Sequence, residues 1–169
     1  MRNGVIADTL RKAGSPYKII FGLNLPQLTE IAGRETKNAE IALQLWQNTT
    51  TRESMLLAPM LYPVEEFTEE TARQWIESAF STEAVDILCH RLIRFMPFAF
   101  SLVRHYIDSD TGLERYAALR LLWKYIPSHK GEAMNMANKE VKRNCPMTYN
   151  MALQIVEEVN YIVEMEKES

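Results

Sequence analysis

The chain has 169 residues, of which 47% are apolar and 24% charged, and its net charge is −3. These values are typical of a soluble globular domain. They exclude a largely disordered chain and a protein that is basic over its whole length. Six glycines, seven prolines and the lack of long β-branched runs favour helix over sheet. We therefore expect one all-α domain over residues 1–169.

The cysteine content and the hydropathy pattern bear on the compartment of the protein. Two cysteines, Cys89 and Cys145, do not imply a disulfide framework and favour a reduced, cytoplasmic setting. Cys89 lies on an apolar helix face, where we expect it to be buried. The sequence contains no run of 18 apolar residues and no apolar segment at its start. It therefore predicts neither a membrane span nor a signal peptide.

Helical periodicity, interrupted by short breaks, covers nearly the whole chain. Asn24 followed by Pro26 predicts a helix start, and Pro59 is expected to kink its helix. Trp46 and Trp75 fall on apolar helix faces and are predicted to lie in the core. The predicted helices cover residues 4–12, a segment after Asn24, 38–48, 52–62, 68–80, 81–95, 97–107, 113–126, 130–144 and 147–166.

The predicted helices after the first two group into pairs. The second members begin near residues 51, 82, 113 and 147, which are about 31 to 34 residues apart. Two-helix units at this spacing are typical of a HEAT-like or armadillo-like α-solenoid of antiparallel helix pairs. An irregular helical bundle is the alternative fold, and the regular spacing favours the solenoid.

Common cofactor and metal motifs are missing from the sequence. The three histidines, His90, His105 and His129, lie in different segments, with no spacing typical of a zinc site. No P-loop, G-x-G-x-x-G or G-x-S-x-G motif occurs. We therefore predict no metal and no cofactor.

The charges are distributed unevenly along the chain. Residues 86–144 contain ten basic and six acidic residues, a net charge of +4, whereas residues 27–85 have a net charge of −6 and residues 145–169 one of −4. A basic middle segment on an acidic protein favours local rather than global binding of a polyanion.

One polar stripe stands beside an apolar face in the segment STEAVDILCHRLIR. Thr82, Asp86, His90 and Arg94 follow one another at intervals of four residues. Such a stripe is most often a solvated helix face, with the acid early and the bases late as the helix dipole favours. The functional interpretation is that Asp86 projects into a groove, where its carboxylate stabilises a developing cation.

A second stripe follows in the segment ERYAALRLLWKY. Tyr116, Arg120 and Lys124 are spaced by four residues, and Arg115 and Trp123 are adjacent to them. These long side chains can simply cover the core with their aliphatic stems. Alternatively, the cations contact phosphates, and Tyr116 or Trp123 provides a stacking surface.

The order of these segments resembles the AlkD-like DNA alkylation repair family, which consists of HEAT-like repeat proteins and includes alkylpurine DNA glycosylases. The resemblance runs from about residue 21 to residue 161. It is carried by FGLNLPQLTEIA, ALQLW, TTTRESMLLAPMLY, EAVDILC and ERYAALRLLWKY. In active members a concave groove holds DNA by its backbone, and an aspartate stabilises the oxocarbenium-like sugar while the alkylated base leaves. The resemblance places that aspartate at Asp86 and a phosphate-contacting lysine at Lys124.

The sequence also departs from the family pattern. The tryptophan one turn before the family aspartate falls on Thr82, and a second tryptophan falls near Ile155. A phosphate-contacting arginine on the last helix falls near Glu158, and the family arginine that precedes the AA pair falls on Tyr116, next to Arg115. The resemblance therefore implies that one carboxylate and part of the basic surface are retained, while both aromatic contacts are lost.

The expected function follows from the resemblance and its departures. We expect a duplex-DNA-binding protein of alkylation repair. Hydrolysis of the N-glycosidic bond of alkylated purines is expected to be weak or lost, because the aromatic contacts that hold the sugar beside the acid are missing. Asp86 is the candidate catalytic residue, and the candidate DNA-binding residues are Arg94, Arg115, Tyr116, Arg120 and Lys124. The alternative is a non-catalytic scaffold that binds a protein or peptide. The oligomeric state stays open.

Overall fold

A computed structural model describes residues 3–168 of the chain. Within these residues the fold is all-helical, as the sequence predicts, and its one β-type contact is a single bridge between Ile19 and Thr51. The helices are α1 (Gly4–Lys12), α2 (Leu25–Arg34), α3 (Ala39–Gln47), α4 (Arg52–Leu61), α5 (Glu69–Glu77), α6 (Thr82–Arg91), α7 (Ala99–Tyr106), α8 (Gly112–Leu122), α9 (Lys130–Arg143) and α10 (Tyr149–Glu168).

Side-chain caps fix where several helices begin. The Asn24 side chain accepts a hydrogen bond from the Gln27 amide, and the Gln27 side chain accepts one from the Asn24 amide, so that α2 has a complete capping box. Asn38 and Thr68 also cap α3 and α5, and the side chain of each accepts a hydrogen bond from the amide three residues on. The predicted start of α2 at Asn24 is therefore confirmed.

Two predicted helices end four residues earlier than the sequence indicates, and the helix predicted over 68–80 ends three residues earlier, at Glu77. The predicted helices 81–95 and 113–126 stop at Arg91 and Leu122, and the 3₁₀ turns Ile93–Phe95 and Trp123–Tyr125 follow them. A proline stands two residues after each turn, at Pro97 and Pro127. Proline removes a backbone donor and disfavours helical backbone in the residue before it. The helix predicted to begin at Pro97 begins instead at Ala99.

The chain divides after Leu92 into two compact units, which we call unit 1 (residues up to 92) and unit 2 (residues from 93). In unit 1 the nearly fully buried helix α4 packs against α2, α3 and α6. Trp46 and Trp75 are both buried, as predicted, and their rings stack with centroids 4.5 Å apart. Pro59 lies inside α4, and the helix ends two residues later.

Unit 2 consists of two packed helix pairs. Helix α7 packs against α8, α9 packs against α10, and α8 also contacts α10. Its buried side chains include Leu102, Leu119, Leu122 and Ile155, all with 0% exposure. In residues 3–168 no helix combines the length and apolar character needed to cross a membrane.

Candidate functional site

Helix α6 carries Asp86 in unit 1. The helix begins after Ser81, whose side chain accepts a hydrogen bond from the Ala84 amide. The Ser81 hydroxyl also lies 2.8 Å from the hydroxyl of the buried Tyr17. Ser81 therefore contacts both its own helix and the buried Tyr17, and these two contacts fix the position at which α6 begins.

Asp86 lies one turn into α6, beside the apolar face of the helix. The face is buried as predicted, since Val85, Leu88 and Cys89 are between 0% and 4% exposed. Asp86 itself is half-buried, and Thr82 one turn earlier is also half-buried. The carboxylate thus stands at the border between the core and the surface, with a small hydroxyl side chain on the turn before it.

A buried guanidinium holds the first turn of α6. Arg52, which is 5% exposed, donates from Nε to Glu83 Oε2 at 2.8 Å, and a second nitrogen of Arg52 donates to Glu83 Oε1. Another nitrogen of Arg52 donates to the Leu23 carbonyl oxygen at 2.9 Å. Because such two-point contacts are geometrically specific, Arg52 fixes α6 against the segment that precedes α2.

The side chain of the adjacent residue, Glu53, binds backbone amides of the same segment. Its carboxylate is 3% exposed and accepts hydrogen bonds from the amides of Phe21, Gly22 and Leu23 at 3.1 to 3.3 Å. Arg52 also donates to this carboxylate at 2.9 Å. Three amide donors and one cation satisfy a charge that would otherwise be costly to bury. We call Arg52, Glu53 and Glu83 the unit 1 ion cluster.

The unit 1 ion cluster is not predicted from the sequence. A signal was present, because the otherwise apolar helix TRESMLLAPML begins with two adjacent opposite charges. Their partners, at residues 21–23 and at Glu83, lie about 30 residues away in each direction. Periodicity within one helix gives no information on such distant partners.

The candidate DNA-binding residues in unit 2 lie at different depths. Arg120 and Lys124 are exposed, while Arg94 and Tyr116 are half-buried. Lys124 Nζ donates to the Arg94 carbonyl oxygen at 2.5 Å, which joins the two 3₁₀ turns that carry these residues. The structure therefore places the cations of Arg94 and Lys124 on neighbouring turns.

Arg115 differs from the other four residues, because it is only 8% exposed. Its Nε donates to Glu140 at 2.9 Å, and another of its nitrogens donates to the carbonyl oxygens of Ser109 and Asp110 at 2.7 and 3.0 Å. The guanidinium thus joins α9 to the loop before α8. It faces the interior of unit 2, whereas a phosphate contact requires a cation at the surface.

Glu140 is the centre of this buried cluster and is 1% exposed. Besides Arg115, it accepts hydrogen bonds from Arg143 at 2.9 Å and from the Thr148 hydroxyl at 2.5 Å. Burial raises the pKa of Glu140, but the hydrogen bonds from Thr148, Arg115 and Arg143 outweigh burial and hold that pKa below its usual range. Glu140 is therefore an ionised carboxylate inside unit 2. We call Arg115, Glu140, Arg143 and Thr148 the unit 2 ion cluster.

Two further positions of the family pattern lie on the last helix, α10. Ile155 is 0% exposed and belongs to the core of unit 2, and Glu158 is half-buried. An aliphatic core residue therefore stands near the position where the resemblance expects a tryptophan. Among residues 3–168, no cluster of three or more histidine, cysteine or acidic side chains is arranged to hold a metal ion.

The fold and these side chains define a helical protein with exposed cations on unit 2 and a half-buried carboxylate on α6 of unit 1. The family model described as DNA alkylation repair enzyme matches residues 5–158, and the chain belongs to this family. No curated protein and no solved structure gives a significant match to the chain. The resemblance found in the sequence is thereby confirmed at the level of the family.

Proposed function

We propose that this protein binds duplex DNA in alkylation repair, and that its helix pairs are HEAT-like repeats of an α-solenoid. The observation that carries the proposal is the family match over residues 5–158. The packing of α3 against α4, α7 against α8 and α9 against α10 supports the repeat assignment. The excess of basic residues in segment 86–144 supports binding of a polyanion.

Unit 2 supplies the contacts to the DNA backbone in this proposal. Arg120 and Lys124 are exposed, and Arg94 lies on the turn next to Lys124. Tyr116, one turn before Arg120 on α8, adds an apolar contact to the sugar edge. We assign Arg115 to the fold of unit 2, because its guanidinium is buried against Glu140.

A charge-removal experiment tests the backbone contacts. The double variant Arg120→Gln/Lys124→Gln should weaken duplex binding and reduce the slope of log affinity against log salt by about two, since each phosphate contact contributes about 0.9 to that slope. Lys142→Gln is the control, because Lys142 is an exposed cation on α9 of the same unit. Equal effects of the double variant and the control would argue against a specific DNA-binding surface. A duplex affinity unchanged in both would show that neither Arg120 nor Lys124 contacts the DNA backbone.

Asp86 is the proposed catalytic residue, but we propose that excision is weak or lost. A carboxylate stabilises a developing sugar cation only when the sugar is held close to it, and proximity accounts for a large part of such catalysis. Thr82 and Ile155 stand where the resemblance expects the indoles that hold the sugar. Thr82 has a small side chain and Ile155 is buried, so neither provides an aromatic wall.

The test is release of alkylated base from methylated duplex DNA. We expect the parent protein and Asp86→Asn to release base at closely similar rates, near that of the DNA alone. Efficient release by the parent that disappears in Asp86→Asn would overturn the proposed loss of excision. It would also identify Asp86 as the working catalytic group.

A further inference from the structure

A short sequence pattern occurs twice in the chain, 30 residues apart. Residues 92–97 read LIRFMP and residues 122–127 read LWKYIP. Each copy has a basic residue followed by an aromatic residue, then an apolar residue and a proline. The basic–aromatic pairs are Arg94–Phe95 in the first copy and Lys124–Tyr125 in the second.

Both copies fold in the same way. Residues 93–95 and 123–125 each form a 3₁₀ turn directly after a helix in the chain. The amide of Met96 donates to the Ile93 carbonyl oxygen at 2.9 Å, and the amide of Ile126 donates to the Trp123 carbonyl oxygen at 3.5 Å. We call residues 93–97 and 123–127 the basic–aromatic turns. The bond from Lys124 Nζ to the Arg94 carbonyl oxygen holds the two turns side by side.

In each turn the cation lies over the adjacent ring. The Arg94 guanidinium carbon is 4.6 Å from the centre of the Phe95 ring, and Lys124 Nζ is 5.6 Å from the centre of the Tyr125 ring. The turns therefore present positive charge and aromatic surface together. This combination is typical of sites that bind nucleic acid through its backbone and its bases at once.

The two rings differ in exposure. Tyr125 is half-buried and packs on Phe100, with ring centroids 4.7 Å apart. Phe95 is 56% exposed, although the turn that carries it is anchored by the buried side chains of Ile93 and Met96. Phe95 is therefore an aromatic surface on a fixed support, with a guanidinium against one side of its ring.

We propose that Phe95 stacks on a nucleobase that lacks a partner in duplex DNA, while Arg94 and Lys124 bind the flanking phosphates. This inference rests on the proposed function, because it requires that the protein binds DNA at all. Every base has an aromatic face, so the stacking selects an unpaired nucleotide rather than a particular base. The exposed ring thus adds a preference for locally opened duplex to the charge-dependent binding.

The experiment compares two labelled duplexes, one fully paired and one with a single unpaired adenine at its centre. The parent protein should bind the second duplex about ten-fold more tightly. Phe95→Leu, which keeps an apolar side chain but removes the ring, should lose this preference and keep the affinity and salt slope for the paired duplex. Phe95→Tyr should retain the preference. Tyr161→Ala, which removes an aromatic side chain that is 59% exposed on α10, is the control and should also retain it.

The outcomes separate this inference from the function on which it rests. A preference that persists in Phe95→Leu, or a parent protein that binds both duplexes equally, would overturn the role of Phe95 and leave DNA binding intact. If the parent protein binds neither duplex at any salt concentration, the proposed function and this inference fail together.

Discussion

Replacing Glu140 by glutamine should destabilise unit 2 more than any exposed charge replacement. The substitution keeps the shape of the side chain but removes the charge that faces the buried Arg115 guanidinium, 2.9 Å away. Removing one partner of a buried ion pair costs about 3–5 kcal/mol, since it leaves an uncompensated charge. Because glutamine can still accept one hydrogen bond and Arg143 is partly exposed, we expect about 3 kcal/mol.

Urea denaturation converts this free energy into a measurable shift. With a slope of about 2 kcal/mol per molar urea, the midpoint of Glu140→Gln should fall by about 1.5 M. Pulsed hydrogen exchange of peptides from α8, α9 and α10 reports on unit 2 separately from unit 1. Glu166→Gln is the matched control, because Glu166 pairs with Lys130 at an exposed position, where the loss should stay within about 1 kcal/mol.

The pH dependence provides a second check on the same carboxylate. The pKa of Glu140 is lower in the folded protein than its ordinary value of 4.5. Its ionised form therefore adds stability that is complete above about pH 4.5 and is lost as the pH falls through the lowered pKa. The stability difference between the parent and Glu140→Gln should shrink in that acidic range. A difference that stays within 1 kcal/mol at pH 7, or one that does not change with pH, would refute the assignment of Glu140 as a buried charge.

Three further substitutions test the structure of unit 1. Gly22→Ala should destabilise it by more than about 1 kcal/mol in urea denaturation, because the glycine has a φ of +76° and a Cβ there would lie 2.1 Å from the Asn3 carbonyl oxygen. Gly33→Ala, with nothing within 4 Å of the new Cβ on α2, should instead stabilise by about 0.5 kcal/mol. Arg52→Met should cost about 3–5 kcal/mol, since it leaves the Glu53 carboxylate buried without its cation, and should raise amide exchange at the start of α6. A loss under 1 kcal/mol, or unchanged exchange at α6, would contradict the role of Arg52.

The sequence predicted the local features of the fold well. Periodicity and caps identify the start of α2 and, to within one residue, both ends of α3, and the burial of Trp46, Trp75 and Cys89 follows from their positions on apolar faces. These features depend on residues three or four positions apart, which a single sequence displays directly.

The ion clusters could not be predicted in this way. Arg115 stands beside Tyr116 in a stripe that is typical of a solvated face, yet it is buried against Glu140, 25 residues further along the chain. The unit 1 ion cluster similarly joins residues about 30 positions apart. Long-range pairing of charges depends on the packing of whole helices, which local periodicity does not encode. Local periodicity also does not predict the ends of α6 and α8, where a 3₁₀ turn replaces the last predicted helical residues.

The proposed function depends on binding of the DNA backbone by three cations of unit 2, the exposed Arg120 and Lys124 and the half-buried Arg94. Its most direct test is the affinity of the parent protein for a plain duplex, measured at pH 7 over a range of salt concentrations. If Arg94, Arg120 and Lys124 each neutralise one phosphate, log affinity should fall linearly with log salt, with a slope of about −3. An affinity that does not depend on salt, or a protein that binds no duplex at low salt, would contradict the claim.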